Sequence, residues 1–212
     1  MSDGFYPRKR ENTDELLSVY KKANFVFRTY WRSDIGERCF VRYVPLGTNC
    51  NVHDASVPDF ADRSYTWSFA GQIRDGSRKT MVEAANGLEG GRLAVSNRFN
   101  SGLRKEEYID LLLDSKVVLC PRGWSSVETY RFYEALEAGA IPLVEDEGGS
   151  GLLRENCNLQ SLAGVVDGGW ASWSSFAKRL IANGSYWESA YGSDFPCPRI
   201  YRWENLSRVL DG

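Results

Sequence analysis

Between Thr66 and Val144, short apolar runs of strand length alternate with amphipathic segments of helix length, and this alternation constrains the fold more than any other feature. Thr66–Ala70, Arg92–Ser96, Lys116–Cys120 and Ala140–Val144 read as strands, with a further strand near Ala163–Val166. Ser77–Asn86, Lys105–Asp114 and Ser126–Ala138 read as the helices between them. Tyr108, Leu111 and Leu112 recur at helical spacing and are expected to face inward. Strand and helix in alternation imply βαβ units, hence a parallel sheet that needs helices on both faces. The chain is therefore predicted to be α/β, a Rossmann-like parallel sheet with helices on both faces. Such sheets bind ligands in the crevice beyond the carboxyl ends of their strands. The loops to inspect are those near residues 71–78, 121–126 and 145–150.

The flanks are less regular. Thr13 is predicted to cap a helix through Ala23, with Leu16, Leu17 and Tyr20 at helical spacing. Two β-rich runs follow, Phe25–Tyr30 and Cys39–Val44, the second closed by the turn Pro45-Leu46-Gly47. Residues 48–64 are polar without a period and read as a long loop or linker. Helices are expected at 173–182, 185–191 and 202–210.

With 212 residues, 42% of them hydrophobic and 25% charged, the chain can bury a core, and wholesale disorder is excluded. A balance of 26 Lys+Arg against 28 Asp+Glu argues against a nucleic-acid partner, which calls for a basic excess. No apolar run approaches the roughly 18 residues of a membrane span. Met1–Arg10 is polar and basic with no apolar stretch behind it, so no secretory leader is expected and the chain as given reads as cytoplasmic. Its five cysteines are scattered and include no C-x-x-C pair, so zinc is not expected.

Lys116–Asp146 is richest in chemistry. A strand runs into Pro121-Arg122-Gly123, then Trp124, then Ser125-Ser126, and Ser125 and Glu128 have capping-box spacing. A helix starting there would present free backbone N–H groups and a positive dipole end to a phosphate, with Gly123 allowing close approach. Arg131 and Glu134 share one helix face at a spacing of three. Either the Arg holds a phosphate while the Glu accepts from a ribose hydroxyl pair, or the two pair with each other on the surface. A second cluster, Phe69-Ala70-Gly71-Gln72-Ile73-Arg74 followed by Ser77-Arg78-Lys79, sets three cations at a strand end and the start of a helix. It is suited to a diphosphate, or is a solvated basic turn.

Phe69-x-Gly71-x-x-Arg74 with Ser77-Arg78, together with LCPRG and TYRFYEALEAGAIPLVED, resembles the donor-binding half of exostosin-type glycosyltransferases. The runs FRTYW, RYVPLG and YTWSF upstream are similar to the same group, and the resemblance covers roughly residues 13–150. It implies the C-terminal nucleotide-sugar domain of a GT-B fold, a UDP-sugar donor, a glycan acceptor, inversion at the anomeric carbon and no obligatory metal or other cofactor. Position by position, it implies donor-binding roles for Gly71, Arg74, Arg78 and Lys79 after the F-x-G strand. It implies the same for Pro121, Arg122, Gly123, Trp124, Ser125 and Ser126 in the loop, and for Arg131 and Glu134 on the helix. Residues 61–212 would form the donor-binding domain with its C-terminal helices. Residues 1–60 are too few for a complete N-terminal domain and would be a reduced or remnant acceptor-side segment, or the chain a fragment. Relatives carry a membrane anchor and work in the secretory pathway.

A departing diphosphate needs its charge stabilised, either by a metal on a D-x-D motif or by cations and a helix N-terminus. No D-x-D occurs here. Glu145-Asp146-Glu147 after a strand reads as a loop near the ribose or acceptor, or as solvated. The general base is not identified; His53, Asp34, Asp54 and Asp59 are equal candidates. The alternatives to a transferase are a non-catalytic nucleotide-sugar-binding module that needs a partner, and a generic α/β phosphate-binding protein. Walker and G-x-G-x-x-G loops are absent.

Overall fold

The computed structural model describes residues 13–29, 35, 40–44, 46–52, 55–73, 76–86, 88–96, 102–123, 128–146, 164–167 and 170. A helix, α1 (Thr13–Tyr20), leads to a parallel pair, β1 (Val26–Arg28) and β2 (Val41–Tyr43). Tyr20, Ile35 and Val41 form a small apolar cluster there. The main body then runs β3 (Tyr65–Gln72), α2 (Ser77–Ala85), β4 (Gly91–Ser96), α3 (Lys105–Leu113), β5 (Ser115–Cys120), α4 (Tyr130–Glu137), β6 (Ile141–Asp146) and β7 (Gly164–Asp167). The helices expected beyond residue 170 lie outside the described residues. No helix among the described residues is long and apolar enough to cross a membrane.

The five strands pair in the order β4-β3-β5-β6-β7, all parallel. The chain starts in the middle, steps outward to β4, then reverses direction to β5, β6 and β7. This is the doubly wound topology, and its order changes direction between β3 and β5. The α/β expectation holds, with helices on both faces. Side chains alternate across the sheet with the period of two that strands impose. Trp67, Phe69, Val117, Leu119, Ile141 and Leu143 face one layer, with Met81 and Ala85 of α2 and with Trp170. Val118, Cys120 and Val144 face the other, packed with Leu112 of α3 and with Phe132, Tyr133, Ala135 and Leu136 of α4.

Two expectations are corrected. The first concerns the start of α4, predicted at Ser126 behind a Ser125–Glu128 capping box. Thr129 is the N-cap, with extended backbone at φ −140° and ψ 155°, and the helix begins at Tyr130. Glu128 does not cap: its Oε1 accepts from the Leu46 N–H at 2.7 Å and from the Tyr133 hydroxyl at 2.6 Å. Two donors to one buried carboxylate, one of them 82 residues away, outweigh a local cap of about 1 kcal/mol.

The second concerns the segment after Gly47, predicted as a loop or linker. It is irregular, with a 3-10 turn at Phe60–Asp62, but it is packed rather than loose. Val52 is fully buried against α3 and α4, with Leu46 and Cys50 beside it. Carboxylates from the α4 segment hold its backbone or side chains. Glu128 takes the Leu46 N–H, Glu134 the Asn49 N–H at 3.1 Å, and Glu137 the Thr48 hydroxyl at 3.5 Å.

The amino-terminal edge of the sheet is tied by one side chain. Arg63, 4% exposed, donates to the carbonyls of Ser115 and Ala138 at 2.7 Å each and to that of Pro58 at 3.4 Å. It thus joins the start of β5, the last turn of α4 and the incoming loop. Burial pulls its pKa down to about 10, with Asp114 opposing, so it remains a cation at neutral pH.

Candidate functional site at the strand switch point

β3 and β5 stay in register as far as Ser68 and Val118, yet β3 continues to Gln72. The two strands therefore part at their carboxyl ends, where the strand order reverses. Arg131, in the first turn of α4, takes over where the register stops. Its Nη2 donates to the Ala70 carbonyl at 2.6 Å, and its guanidinium carbon lies 4.7 Å from the centre of the Phe69 ring. Arg131 is half-buried, and among the described residues no carboxylate forms an ion pair with it. A half-buried guanidinium held by a carbonyl and a ring is fixed in place to meet an anion.

Gly71 makes room for this arrangement. It has φ +150°, and an added Cβ would stand 2.6 Å from Arg131 Nη2. The backbone conformation and the clash both favour glycine there. Gly71→Ala is expected to lower stability by about 1–3 kcal/mol. Urea unfolding checks this, and an unchanged midpoint would show that Arg131 moves aside freely.

Arg131 and Glu134 do not pair with each other as a surface ion pair, nor does Glu134 stand open. It is 3% exposed, with one oxygen taking the Tyr108 hydroxyl at 2.7 Å and the other the Asn49 N–H. Burial raises the Tyr108 pKa well above the ordinary phenol value, with Arg131 opposing and Glu134 adding, so Tyr108 stays a donor. The two described thiols are likewise held protonated. Burial pushes Cys120 up to about 12 and Cys50 to about 11, the latter helped by Glu134.

The remaining expected site residues fall around the same crevice. Arg78, in the first turn of α2, donates to the Gln72 carbonyl at 3.0 Å and so closes the loop that follows β3. Lys79 is exposed and lies 4.0 Å from Glu83 on the solvent side of α2. Pro121 is buried, Gly123 half-buried, and the Arg122 side chain exposed. Arg74, Trp124, Ser125 and Ser126 lie outside the described residues. Of the base candidates, Asp34, His53 and Asp54 do as well. Asp59 is exposed beside Pro58, whose carbonyl Arg63 ties to the amino-terminal edge, the end opposite the crevice.

Sequence reasoning placed Glu145 in a loop near the ribose or acceptor, or in solvent; it is instead a buried residue of β6. At the end of β6 it is 1% exposed, and its Oε1 accepts from the Arg122 N–H at 2.9 Å, shaping the loop after β5. Its place after a buried strand was the only signal. Around the crevice several buried polar atoms have no protein partner: Ser77 Oγ at the start of α2, Thr129 Oγ1 and Arg131 Nε at the start of α4, and Glu145 Oε2 at the end of β6. Buried polar atoms are normally satisfied, and although others, such as Arg63 Nε, lie elsewhere in the fold, these four are placed where another molecule can supply the partners. Among the described residues, no three Cys, His, Asp or Glu side chains come together as a metal-binding group.

A comparison with curated proteins finds no match. Residues 48–163, from the clamped segment after Gly47 to the residue before β7, match the RXYLT1 C-terminal domain and so take in the whole crevice. On that match, which covers more than half of its length, the chain belongs to the family of the RXYLT1 C-terminal domain, a glycosyltransferase family.

Proposed function

We propose that the chain binds a UDP-sugar at the β3–β5 switch point and serves an inverting, metal-independent glycosyl transfer to a glycan acceptor. The observation that carries this is the Arg131 guanidinium, which among the described residues forms no ion pair with a carboxylate and is set where the two strands part, with its own Nε and the Thr129 Oγ1 at the start of α4 lacking partners. The family takes its name from RXYLT1, a xylosyltransferase of the exostosin-like type, so UDP-xylose is the first donor to try.

In the proposed reaction the bond from the anomeric carbon to the β-phosphate oxygen breaks, and negative charge builds on the departing diphosphate. Arg131 meets that charge without reorganisation because Phe69 and the Ala70 carbonyl already fix its plane. The N-terminus of α2 adds to this. Its N-cap is Gly76, which has no side-chain cap, and Ser77 Oγ stands unpartnered beside it. Pro121–Gly123, fixed through Glu145, forms the wall beneath the nucleotide. Arg74, Trp124, Ser125 and Ser126 belong to the same proposal through the resemblance. Lys79, on the solvent side, contributes only general positive potential. Residues 61–212 are proposed as the donor-binding domain, and residues 1–60 as an acceptor-side segment.

Calorimetry with UDP, GDP, pyrophosphate and a panel of UDP-sugars, with and without EDTA, tests the proposal. UDP is expected to bind with a Kd in the micromolar range, about −8 kcal/mol, and to keep that affinity in EDTA. Strict dependence on a divalent ion, or no binding of any nucleotide, would overturn it. Slow donor hydrolysis under the same conditions would separate a transferase from a module that only binds.

A further inference from the structure

Glu145 and Gly71 stand at the carboxyl ends of β6 and β3, on either side of β5. Trp67, Val117 and Ile141 stand side by side on β3, β5 and β6. Two residues further along each strand come Phe69, Leu119 and Leu143, buried in the same layer. Two further along β6, Glu145 falls on the same side of its strand as Leu143, because side chains alternate with period two. Arg131 sits against Gly71 at the end of β3, and Glu145 stands at the end of β6. Among the described residues the cation forms no ion pair with a carboxylate, and the carboxylate has one oxygen, Oε2, with no donor.

A buried carboxylate oxygen without a donor is costly, so a structure keeps one where a ligand or a water completes it. Glu134 on α4 offers no such oxygen to a ligand, because Tyr108 and Asn49 fill both. Glu128, just before α4, takes Leu46 and Tyr133 on Oε1 alone, against the segment around Leu46. We propose that Glu145 is the carboxylate that receives a hydroxyl of the bound nucleotide sugar, across the crevice from the diphosphate on Arg131. This rests on the UDP-sugar reading of the site. It also explains why Glu145 Oε1 holds the Arg122 N–H: one oxygen fixes the loop under the nucleotide, and the other is left for the ligand. The hydroxyl belongs to the ribose or to the transferred sugar, and the two are separated by ligand choice.

The test is calorimetry of the full chain and its Glu145→Gln variant with UDP, 2′,3′-dideoxy-UDP, UDP-xylose and pyrophosphate. Glutamine keeps an acceptor for the Arg122 N–H while removing the charge. For a ribose contact, the variant is expected to lose about tenfold or more in UDP affinity, to keep pyrophosphate affinity within about twofold, and to stop discriminating UDP from its dideoxy analogue. For a contact to the transferred sugar, the loss appears with UDP-xylose and not with UDP. Unchanged affinity for both UDP and UDP-xylose in a folded variant would overturn the inference, leaving a water as the partner of Oε2. Failure of the unsubstituted chain to bind UDP and pyrophosphate alike would instead overturn the UDP-sugar reading, and this inference with it. Should Glu145→Gln not fold, Glu145→Asp replaces it. That variant keeps the charge but withdraws the oxygen by one methylene, and the same outcomes decide.

Discussion

Arg131→Ala is expected to lower UDP affinity at least about a hundredfold, close to 3 kcal/mol, since a desolvated guanidinium bound to a diphosphate makes charge-assisted bonds at the strong end of the range. The fold is expected to survive. Alanine removes the donor to the Ala70 carbonyl and uncovers one face of Phe69, a loss of about 1–2 kcal/mol, but it leaves the apolar side of α4 intact. Arg131→Lys is expected to restore the charge without the ring contact or the planar fork, and so to recover only part of the affinity. Calorimetry with UDP and pyrophosphate reads the first effect, and thermal unfolding reads the second. UDP affinity unchanged in a folded Arg131→Ala variant would remove Arg131 from the site and leave the crevice without its central cation.

The second large effect is at the opposite end of the sheet. Arg63→Ala is expected to destabilise the chain by about 3–5 kcal/mol. It leaves the carbonyls of Ser115, Ala138 and Pro58 without their donor, and it opens a void beside Phe60, over whose ring the guanidinium lies at 5.7 Å. Gly139, at φ +66°, turns the chain out of α4 immediately beside Arg63 Nη2, so the helix end loses its cation as well as its donor. Burial lowers the Arg63 pKa, which means that the charged form is already held at some cost to stability. That cost applies throughout the range below about pH 10 and is relieved only above it. The arginine is kept because three strands of backbone meet on it. Urea unfolding monitored by tryptophan fluorescence measures the loss. A shift below about 1 kcal/mol would show that water replaces the guanidinium at those carbonyls.

Much of the architecture was legible in the sequence. The strand and helix segments between Thr66 and Val144 match β3 to β6 within a few residues at each end, because their hydrophobic periods of two and 3.6 leave little choice of face. The alternation also implied parallel strands and a crevice at their carboxyl ends, and the described parts of the expected loops, 71–73, 76–78 and 121–123, follow the ends of β3 and β5 at the switch point. Periodicity was silent where single residues pack from irregular chain. Val52, Leu46 and Cys50 are scattered among polar neighbours, yet they close the layer over α3 and α4. The start of α4 was misplaced for a related reason. A capping box is a local pattern, and Glu128 answers to Leu46, which is distant in sequence.

The sequence by itself determined the layers of this protein, since the apolar period of each segment decides which face must be buried. It also supplied the residue types of the crevice, and the motifs from Phe69 to Arg78 and from Pro121 to Glu134 resembled exostosin-type glycosyltransferases, in keeping with the match to the RXYLT1 C-terminal domain. Only the tertiary structure decided which of those groups are left unsatisfied. Arg131 reaches β3, 61 residues away, and meets a carbonyl and a ring there. Glu134 loses its freedom to Tyr108 and Asn49, while Glu145 keeps one oxygen open. Partners of this kind are set by contacts between elements far apart in the chain. A spacing of three or four residues fixes which side chains share a face, but not what the rest of the fold brings against them.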